Sequence, residues 1–492
     1  MNASLRAMAL AAGLLAALPA LPAQASDVFP RLDDPLATQA GLPDAGRLLP
    51  GDSRAAPCPP AHDGAVPLSL PAAVDLALCH NAQVHGAWAG IKLQAAGLGE
   101  ARAAYLPTLN AGLSRVHDRT AYPGAATASS SLGSNTGSLS LSWRLFDFGG
   151  RDAGRRSATA LLDAALAHRD AVLQATLAAT VSAYFEAHTA LVSLRMREQH
   201  QALAQETVAA TQRRAGRGLG AHSDTLQAQS ALAKAALGAS RAAGDYRKAR
   251  AVLIYTLGLP AGTDVTLEED AGEADGGLRE DLRSWLAMAQ ERHPAILAAR
   301  AQLAAARERV AVARSEGRPS VDLTANIYQN GRPNQGLSPA STRETLVGIS
   351  LNIPLFDGFA RGYKVRGALA QAGQKEAEAQ ETQQQTLLDL VRTHAEASMA
   401  LGNLAASQDW LAAAQEAQAS VQRKFGLGAA DILEILNTQS ALLEARQERI
   451  RCLAEWRSAR LRLLASAGIL GRGDLAQEGG ASGGKSGAPP MR

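Results

Sequence analysis

The sequence predicts a mixed fold in which two β-hairpins alternate with two pairs of very long helices. Three observations lead to this prediction. Apolar residues make up 47% of the chain but aromatic residues only 4%, a balance typical of packed Ala- and Leu-rich helices. Four segments alternate apolar and polar residues with the period of two that β-strands require. The whole arrangement also occurs twice along the chain, at offsets of 210 to 212 residues.

The charge and cysteine content exclude several classes of protein. A net charge of +3 over 492 residues gives no support for a nucleic-acid binder, which normally presents a basic face. Three cysteines are too few for a disulfide-dense miniprotein or a multi-cysteine metal protein. The scattered histidines lack partners at the spacing of a catalytic site, so we expect neither an enzyme nor a cofactor. The Gly479–Ser486 stretch matches the phosphate-loop pattern, but no predicted strand precedes it, so we expect no nucleotide binding.

The N-terminus has the organisation of a secretory signal peptide. Arg6 is followed by an apolar run from Met8 to Leu18, and Ala23-Gln24-Ala25 supplies a cleavage site of small residues. We therefore expect residues 1–25 to be removed and the mature chain to leave the cytoplasm. Residues 26–66 form a Pro-rich N-terminal extension that we expect to be extended or disordered.

Two cysteines lie at the junction of this extension and the first repeat. Cys58 and Cys79 flank a Pro-rich segment, and in an oxidising compartment such a pair favours a structural disulfide. The alternative is a metal site that includes nearby histidines. That alternative is the weaker one, because a structural zinc ion requires four ligands at compact spacing and these residues are spread out.

The internal repeat defines the domain boundaries. Residues 68–260 and 281–470 are predicted to be two copies of one unit, joined by an acidic, Gly-rich linker or equatorial segment at 261–280. Residues 471–492 are predicted to be a disordered tail. Matching segments include Leu145-Phe146-Asp147 with Leu355-Phe356-Asp357, and Gln229-Ser-Ala-Leu232 with Gln439-Ser-Ala-Leu442.

Each copy contains one predicted β-hairpin, at 107–148 in the first and at 319–357 in the second. Both hairpins present one apolar and one polar face, and a polar loop joins the two strands of each. The apolar positions are Leu109, Ala111, Leu113, Leu139, Leu141, Trp143 and Leu145 in the first copy, and Val321, Leu323, Ala325, Ile327, Val347, Ile349, Leu351, Ile353 and Leu355 in the second.

A very long helix pair follows each hairpin. The run from Arg151 to Gly216 contains no proline, and at 1.5 Å per residue it predicts a helix about 100 Å long. Leucines recurring at steps of four and seven indicate a coiled-coil-like seam. The helices turn back at Gly216–Gly220 in the first copy and at Gly426–Gly428 in the second.

These elements together favour a pore in an outer membrane. Four strands with an apolar outer face cannot close a barrel alone, and open sheet edges do not occur in lipid, so several chains must contribute strands. Helices of about 100 Å exceed any globular core and indicate a periplasmic conduit. Aromatic residues cluster at the hairpin ends, where a membrane-interface girdle would lie: Trp143, Phe146, Phe148, Phe356 and Phe359.

Over residues 68–470 the chain resembles the TolC-like outer membrane factors. The resemblance rests on the duplicated plan and on the segments 68–78 (LSLPAAVDLAL), 145–150 (LFDFGG), 355–359 (LFDGF) and 431–437 (DILEILN). It implies a homotrimer in the cell outer membrane with a 12-stranded β-barrel, continued by a periplasmic α-helical barrel with an equatorial belt. It also implies that the channel docks on a periplasmic membrane fusion (adaptor) protein and an inner-membrane pump, and performs no chemistry.

The resemblance also implies which residues form the periplasmic gate. Gly218 and Gly428 match the glycines of the two helical turns, and Glu434 matches the acidic residue of the constricting ring. Asn437 stands where a second acid is often found. Asp224 and Phe425 match positions that hold the tip closed; the family often has Tyr at the latter, and Phe lacks its hydroxyl. Without the resemblance, Asp224 and Glu434 are equally well interpreted as solvated charges on helix surfaces.

Three functions remain open at this stage. The favoured one is the outer-membrane channel of a type I secretion system, which works with an ABC transporter and exports a protein such as an RTX toxin of the cyclolysin type. The second is the outer channel of a multidrug or metal efflux system with a proton-driven pump. The third is a soluble periplasmic coiled-coil adaptor, which needs no lipid-facing strands.

Overall fold

The structure, a computed structural model, describes residues 34–38, 58, 67–120, 130–218, 221–268, 277–278, 281–330, 341–426 and 429–478. It divides into two units, Met1–Leu42 and Pro43–Arg492. In the first unit the described residues form one turn, in which the Thr38 backbone N–H donates to Asp34 Oδ1 at 2.8 Å. The expected signal peptide lies outside the described residues, as does the N-terminal extension except for this turn and Cys58. All the elements below belong to the second unit.

The first copy contains four helices and two strands. They are α1 (Leu70–His80), α2 (Ala82–Ala103), β1 (Thr108–Thr120), β2 (Ser130–Phe146), α3 (Gly150–Gly216) and α4 (His222–Thr256).

The second copy repeats this order and adds one short helix. Its elements are α5 (Leu282–Arg292), α6 (Pro294–Ser315), β3 (Ser320–Gln329), β4 (Arg343–Asn352), α7 (Ala360–Gly426), α8 (Ile432–Ser466) and α9 (Arg472–Glu478).

The opening helical stretch of each copy is two helices rather than one. The break falls at Asn81 and at His293, which leave the helical conformation and cap the next helix. Asn81 Oδ1 accepts from the Gln83 N–H at 2.8 Å, and His293 Nδ1 accepts from the Ala295 N–H at 3.2 Å. A polar side chain that satisfies a free N–H competes with continuous helix, which explains the break.

The two long helices α3 and α7 organise the helical part. Near the strands, helices pack in the order α2, α3, α6 and α7, and towards the opposite end in the order α4, α3, α8 and α7. Each end is therefore a layer of four neighbouring helices. No helix in the described parts of the chain is both long enough and apolar enough to cross a membrane.

Part of the core lies where the short helices and the inter-repeat segment surround α3. Leu177 and Val181 of α3 are fully buried there, and the Tyr184 hydroxyl donates to the Leu68 carbonyl oxygen at 3.2 Å. Burial, with the charge of Glu268, raises the pKa of Tyr184 to about 12, so this group stays a donor at neutral pH. The segment predicted as a linker contributes to this core, because Val265 is fully buried.

The chain beyond residue 470 is not disordered throughout, so the prediction of a disordered tail from 471 is wrong for its first part. Helix α9 forms because Leu475 is buried in the same core and Gly471 N–H donates to Asp474 Oδ2 at 3.1 Å. An ion pair of 3.1 Å between Arg472 and Asp75 joins it to α1. Residues 479–492 lie outside the described part of the chain.

The four strands form one antiparallel sheet in the order β1-β2-β3-β4. The register places apolar residues of all strands on one face, as in the row Leu109–Leu141–Ala325–Val347. The next row, Thr108–Ser142–Thr324–Gly348, lies on the other face. The apolar face is open, since Leu109 is 64% exposed and Val347 70%. The outer edges of β1 and β4 pair with no other strand in the described sheet.

The second hairpin is shorter than its apolar pattern predicts. β4 ends at Asn352, two residues before Pro354, which has no N–H to donate to a ladder. Ile353 and Leu355 therefore lie beyond the strand although they continue the alternation. The ladder between β2 and β3 also shifts register between Arg144 and Phe146, which the alternating pattern does not reveal.

Gly258 and Gly468 occupy equivalent positions in the two repeats. They bring the ends of α4 and α8 against the helix breaks at Asn81 and His293. Gly258 has φ of +72° and Gly468 of +78°, the left-handed conformation that glycine tolerates best. A Cβ at Gly258 would lie 2.4 Å from the His80 carbonyl oxygen, and one at Gly468 would lie 2.7 Å from Pro294 Cδ. Only glycine permits this close approach to the residues at the two breaks.

Replacing Gly258 with Ala is expected to lower the free energy of unfolding by about 2–4 kcal/mol, from left-handed strain and steric overlap together. Gly218→Ala is the matched control, because Gly218 also has positive φ (+71°) but open space around it. This control is expected to lower the free energy of unfolding by about 1 kcal/mol, from left-handed strain alone. Urea unfolding followed by helical circular dichroism measures both, and equal losses would contradict the packing argument.

Candidate functional site

The helical turns at the end far from the sheet bring the predicted gate residues to one region. Arg217 and Gly218 begin the turn from α3 to α4, and Gly218 adopts positive φ with open space around it. The second turn, from α7 to α8, contains Gly428, which lies outside the described residues. The neighbouring packing of α3 with α8 places the two turns side by side.

A cation–π contact joins the two turns. The Arg214 guanidinium carbon lies 4.8 Å from the centre of the Phe425 ring, which connects the last turn of α3 to the last turn of α7. Such contacts contribute about 0.5–2 kcal/mol, more as they are desolvated, and Phe425 is half-buried. Phe425 therefore contributes to the tip through its ring face, although it lacks the hydroxyl of Tyr.

Glu434 lies in the first turn of α8 and points away from the core of its own chain. Asp431 caps this helix, and its Oδ1 accepts from the Glu434 backbone N–H at 2.7 Å. The Glu434 side chain is exposed, whereas Ile432 and Ile435 on the other face are buried. Asn437 follows one turn later and is also exposed. Glu434 and Asn437 thus form one polar, outward-facing strip at the end of α8.

Asp224 occupies the corresponding turn of α4 in the first copy. Its side chain is half-buried, next to buried Thr225. Its carboxylate forms no hydrogen bond or ion pair with any described residue of the chain. The structure therefore does not join Asp224 to Phe425 within one chain.

Two residues of this region were not identified from the sequence. Asp431 had a usable signal, because an Asp followed three residues later by Glu resembles the capping-box pattern that starts a helix. No sequence pattern identifies Arg214, because its contact with Phe425 joins residues more than two hundred positions apart. The packing of α8 against both α3 and α7 brings them together.

The structure also joins Cys58 to Cys79 in a disulfide, which ties the N-terminal extension to the end of α1. No group of three or more His, Cys, Asp or Glu residues suited to a metal ion occurs in the described parts of the chain.

Comparison with known proteins identifies the family. The family model for "Outer membrane efflux protein" matches residues 73–259 and 285–469, which are the two copies. Protein CyaE of Bordetella pertussis is 38% identical over 419 residues, covering 85% of this chain and 88% of CyaE. The proteases secretion protein PrtF of Dickeya chrysanthemi is 26% identical over 159 residues, 32% of this chain and 34% of PrtF.

A solved structure shows the same fold. The outer-membrane channel OprN superimposes with a TM-score of 0.70 at 22% identity, covering 82% of this chain and 90% of OprN. The family match and the similarity to CyaE confirm the resemblance that the motifs indicated, and with it the location in the outer membrane with a large periplasmic helical part. The chain belongs to the outer membrane efflux protein family.

Proposed function

We propose that this protein is the outer-membrane channel of a type I secretion system, which carries a protein substrate out of the cell. The observation that carries the proposal is the four-stranded sheet, whose apolar face is exposed and whose outer edges pair with no described strand. Such a sheet is stable in a bilayer only when its edges are paired. The 38% identity to CyaE over most of both chains supports the same conclusion.

Closure of the sheet calls for further copies of the chain. Eight strands form the smallest outer-membrane barrels, and two chains of four would just reach that size. The TolC-like resemblance favours three chains, which give twelve strands and a lumen. The polar face, with the Arg144–Asp322 ion pair of 2.9 Å, then lines the water-filled interior.

The long helices continue the lumen into the periplasm. Each chain contributes two layers of four helices. Helix α7 lies at one edge of both layers, and α2 and α4 lie at the opposite edges. Three copies joined at these edges form a helical barrel of twelve helices around the same axis. The tip of this barrel is the proposed docking region for a periplasmic adaptor protein and an inner-membrane ABC transporter. We expect no catalytic step in the channel itself.

Protein export is favoured over drug or metal efflux by the relatives. PrtF is named for the secretion of proteases, whereas the family description refers to efflux in general. Deleting the gene in its host separates the two functions. The expected result is the loss of one or more secreted proteins from the culture medium, with drug and metal susceptibility unchanged. Increased susceptibility with an intact set of secreted proteins would contradict the proposal.

Lysine substitutions on the two faces of the sheet test the barrel. Leu141→Lys or Ile349→Lys is expected to destabilise the assembled protein by about 2–4 kcal/mol, since each places a charge in the lipid. Ser140→Lys and Ser350→Lys, one residue away on the polar face, are the controls and are expected to be tolerated. The readout is the yield of heat-resistant oligomer in outer-membrane extracts. Equal loss from both faces would refute the assignment of the lipid face.

The gate is tested by conductance in planar bilayers. Three Glu434 carboxylates that meet near the axis would attract cations and bind trivalent cations that block the pore. Glu434→Ala is therefore expected to reduce cation selectivity and relieve the block. Glu444→Ala is the matched control, because this exposed acid lies on the same helix about 15 Å away. Unchanged selectivity and block in Glu434→Ala would remove Glu434 from the constriction.

Asp224→Ala is expected to behave differently from Glu434→Ala. Loss of the Asp224 carboxylate removes a polar link between chains and not a pore-lining charge. Conductance should therefore rise while selectivity stays the same.

A further inference from the structure

The charged residues of the sheet are segregated between its two faces. In an antiparallel ladder, residues directly paired across strands lie on the same face and neighbours along a strand on opposite faces. By this criterion Arg115, Arg119 and Arg343 lie on the face that carries Leu113 and Val347. All three acids of the strands, Asp118, Asp322 and Glu344, lie on the polar face.

These three arginines, with His117 on the same face, are called here the basic rim. All four side chains are exposed. His117 Nε2 lies 3.2 Å from Ser131 Oγ. None of the three guanidinium groups forms an ion pair with a described residue, in contrast to Arg144, which pairs with Asp322 on the polar face. The basic rim therefore offers uncompensated positive charge on the face that carries the apolar band.

The basic rim lies at one end of the apolar band. Arg343 is in the same row as Leu113, and Arg115 is two residues further along β1. At the other end of the band, Phe146 packs against Phe148 with ring centres 4.7 Å apart.

The distance between the two ends matches the thickness of an outer membrane. Gly137, in the row of Leu113, and Phe146 are nine residues apart on β2, which is about 30 Å along a strand. At a tilt of about 40° this spans about 23 Å, close to the apolar band of about 25 Å in outer-membrane barrels. Arg343 and Arg115 thus fall at headgroup level, on the side away from the periplasmic helices, and Arg119 lies about 14 Å further along β1.

We propose that the basic rim binds the phosphate groups of phosphorylated glycolipid in the outer leaflet of the outer membrane. Arginine is suited to this partner because its planar guanidinium binds phosphate oxygens in pairs. Its long stem can also lie along apolar surface while the charge stays in the headgroup layer. The inference rests on the proposed barrel.

The position of the arginines on the edge strands strengthens the argument. Arg115 and Arg119 lie on β1 and Arg343 on β4, the two edges that pair between copies in a closed barrel. Each seam between copies would then collect basic groups from both chains. Like charges at such a seam repel each other, and a phosphate group bound between them offsets this repulsion.

The test is a binding titration of the detergent-solubilised full-length mature oligomer with diphosphoryl lipid A and, separately, with dephosphorylated lipid A. The wild-type protein is expected to bind the diphosphoryl form about tenfold more tightly or better, and added salt should weaken only this binding. Equal affinity for the two lipids, or a salt-independent preference, would overturn the proposal. So would inorganic phosphate that competes as well as lipid A, because the rim would then be a general anion site.

The triple variant Arg115→Gln/Arg119→Gln/Arg343→Gln is expected to lose the preference for phosphate. The control variant is Arg247→Gln/Lys248→Gln/Arg392→Gln, which removes the same charge from exposed helix positions. It is expected to retain the preference for phosphate. A triple variant with wild-type preference overturns the inference. The same samples are tested for conductance: a wild-type protein that does not conduct refutes the barrel, whereas a conducting protein without phosphate preference refutes the basic rim alone.

Discussion

The constraint on which the rest depends is that a four-stranded sheet has two open edges. In water an exposed apolar face such as that of Leu109, Val347 and Ile349 would aggregate, and in lipid the unpaired edges of β1 and β4 would leave backbone groups without partners. Both problems have one solution, in which copies of the chain share edges and present the apolar face to lipid. The proposed channel therefore needs both the oligomer and the membrane.

In the proposed channel, the arrangement of the helices follows from this closure of the sheet. Each internal repeat supplies one hairpin and one long helix pair, so a closed ring of strands would continue into a ring of helices. The core around Leu177, Val181 and Tyr184 holds the two copies and the inter-repeat segment together within one chain. The far tips, in contrast, contain exposed Glu434 and half-buried Asp224, and their described contact between turns is the Arg214–Phe425 pair. The main described core thus lies near the middle of α3, and the proposed gate lies beyond it.

Local patterns in the sequence were sufficient to predict the strands, the long helices and the duplication, because alternation and heptad spacing depend on neighbouring residues. They were insufficient where distant residues decide. Helix α9 forms through Leu475 packing into a core assembled from the whole chain, and the breaks at Asn81 and His293 lie against the distant residues Gly258 and Gly468. At the candidate gate, Glu434 and Asp224 came from the family resemblance, while the contact of Arg214 with Phe425 depends on the packing of α8 against both α3 and α7.

The central claim is that copies of this chain share the edges of their sheets, and the mass of the mature protein in detergent tests it most directly. Native mass spectrometry after mild extraction, together with chemical crosslinking, counts the chains in one channel. The account predicts three chains per particle, with crosslinked products of two and three chains and nothing larger. A monodisperse monomer that still inserts into bilayers and conducts would contradict it, because one chain would then have closed its own sheet.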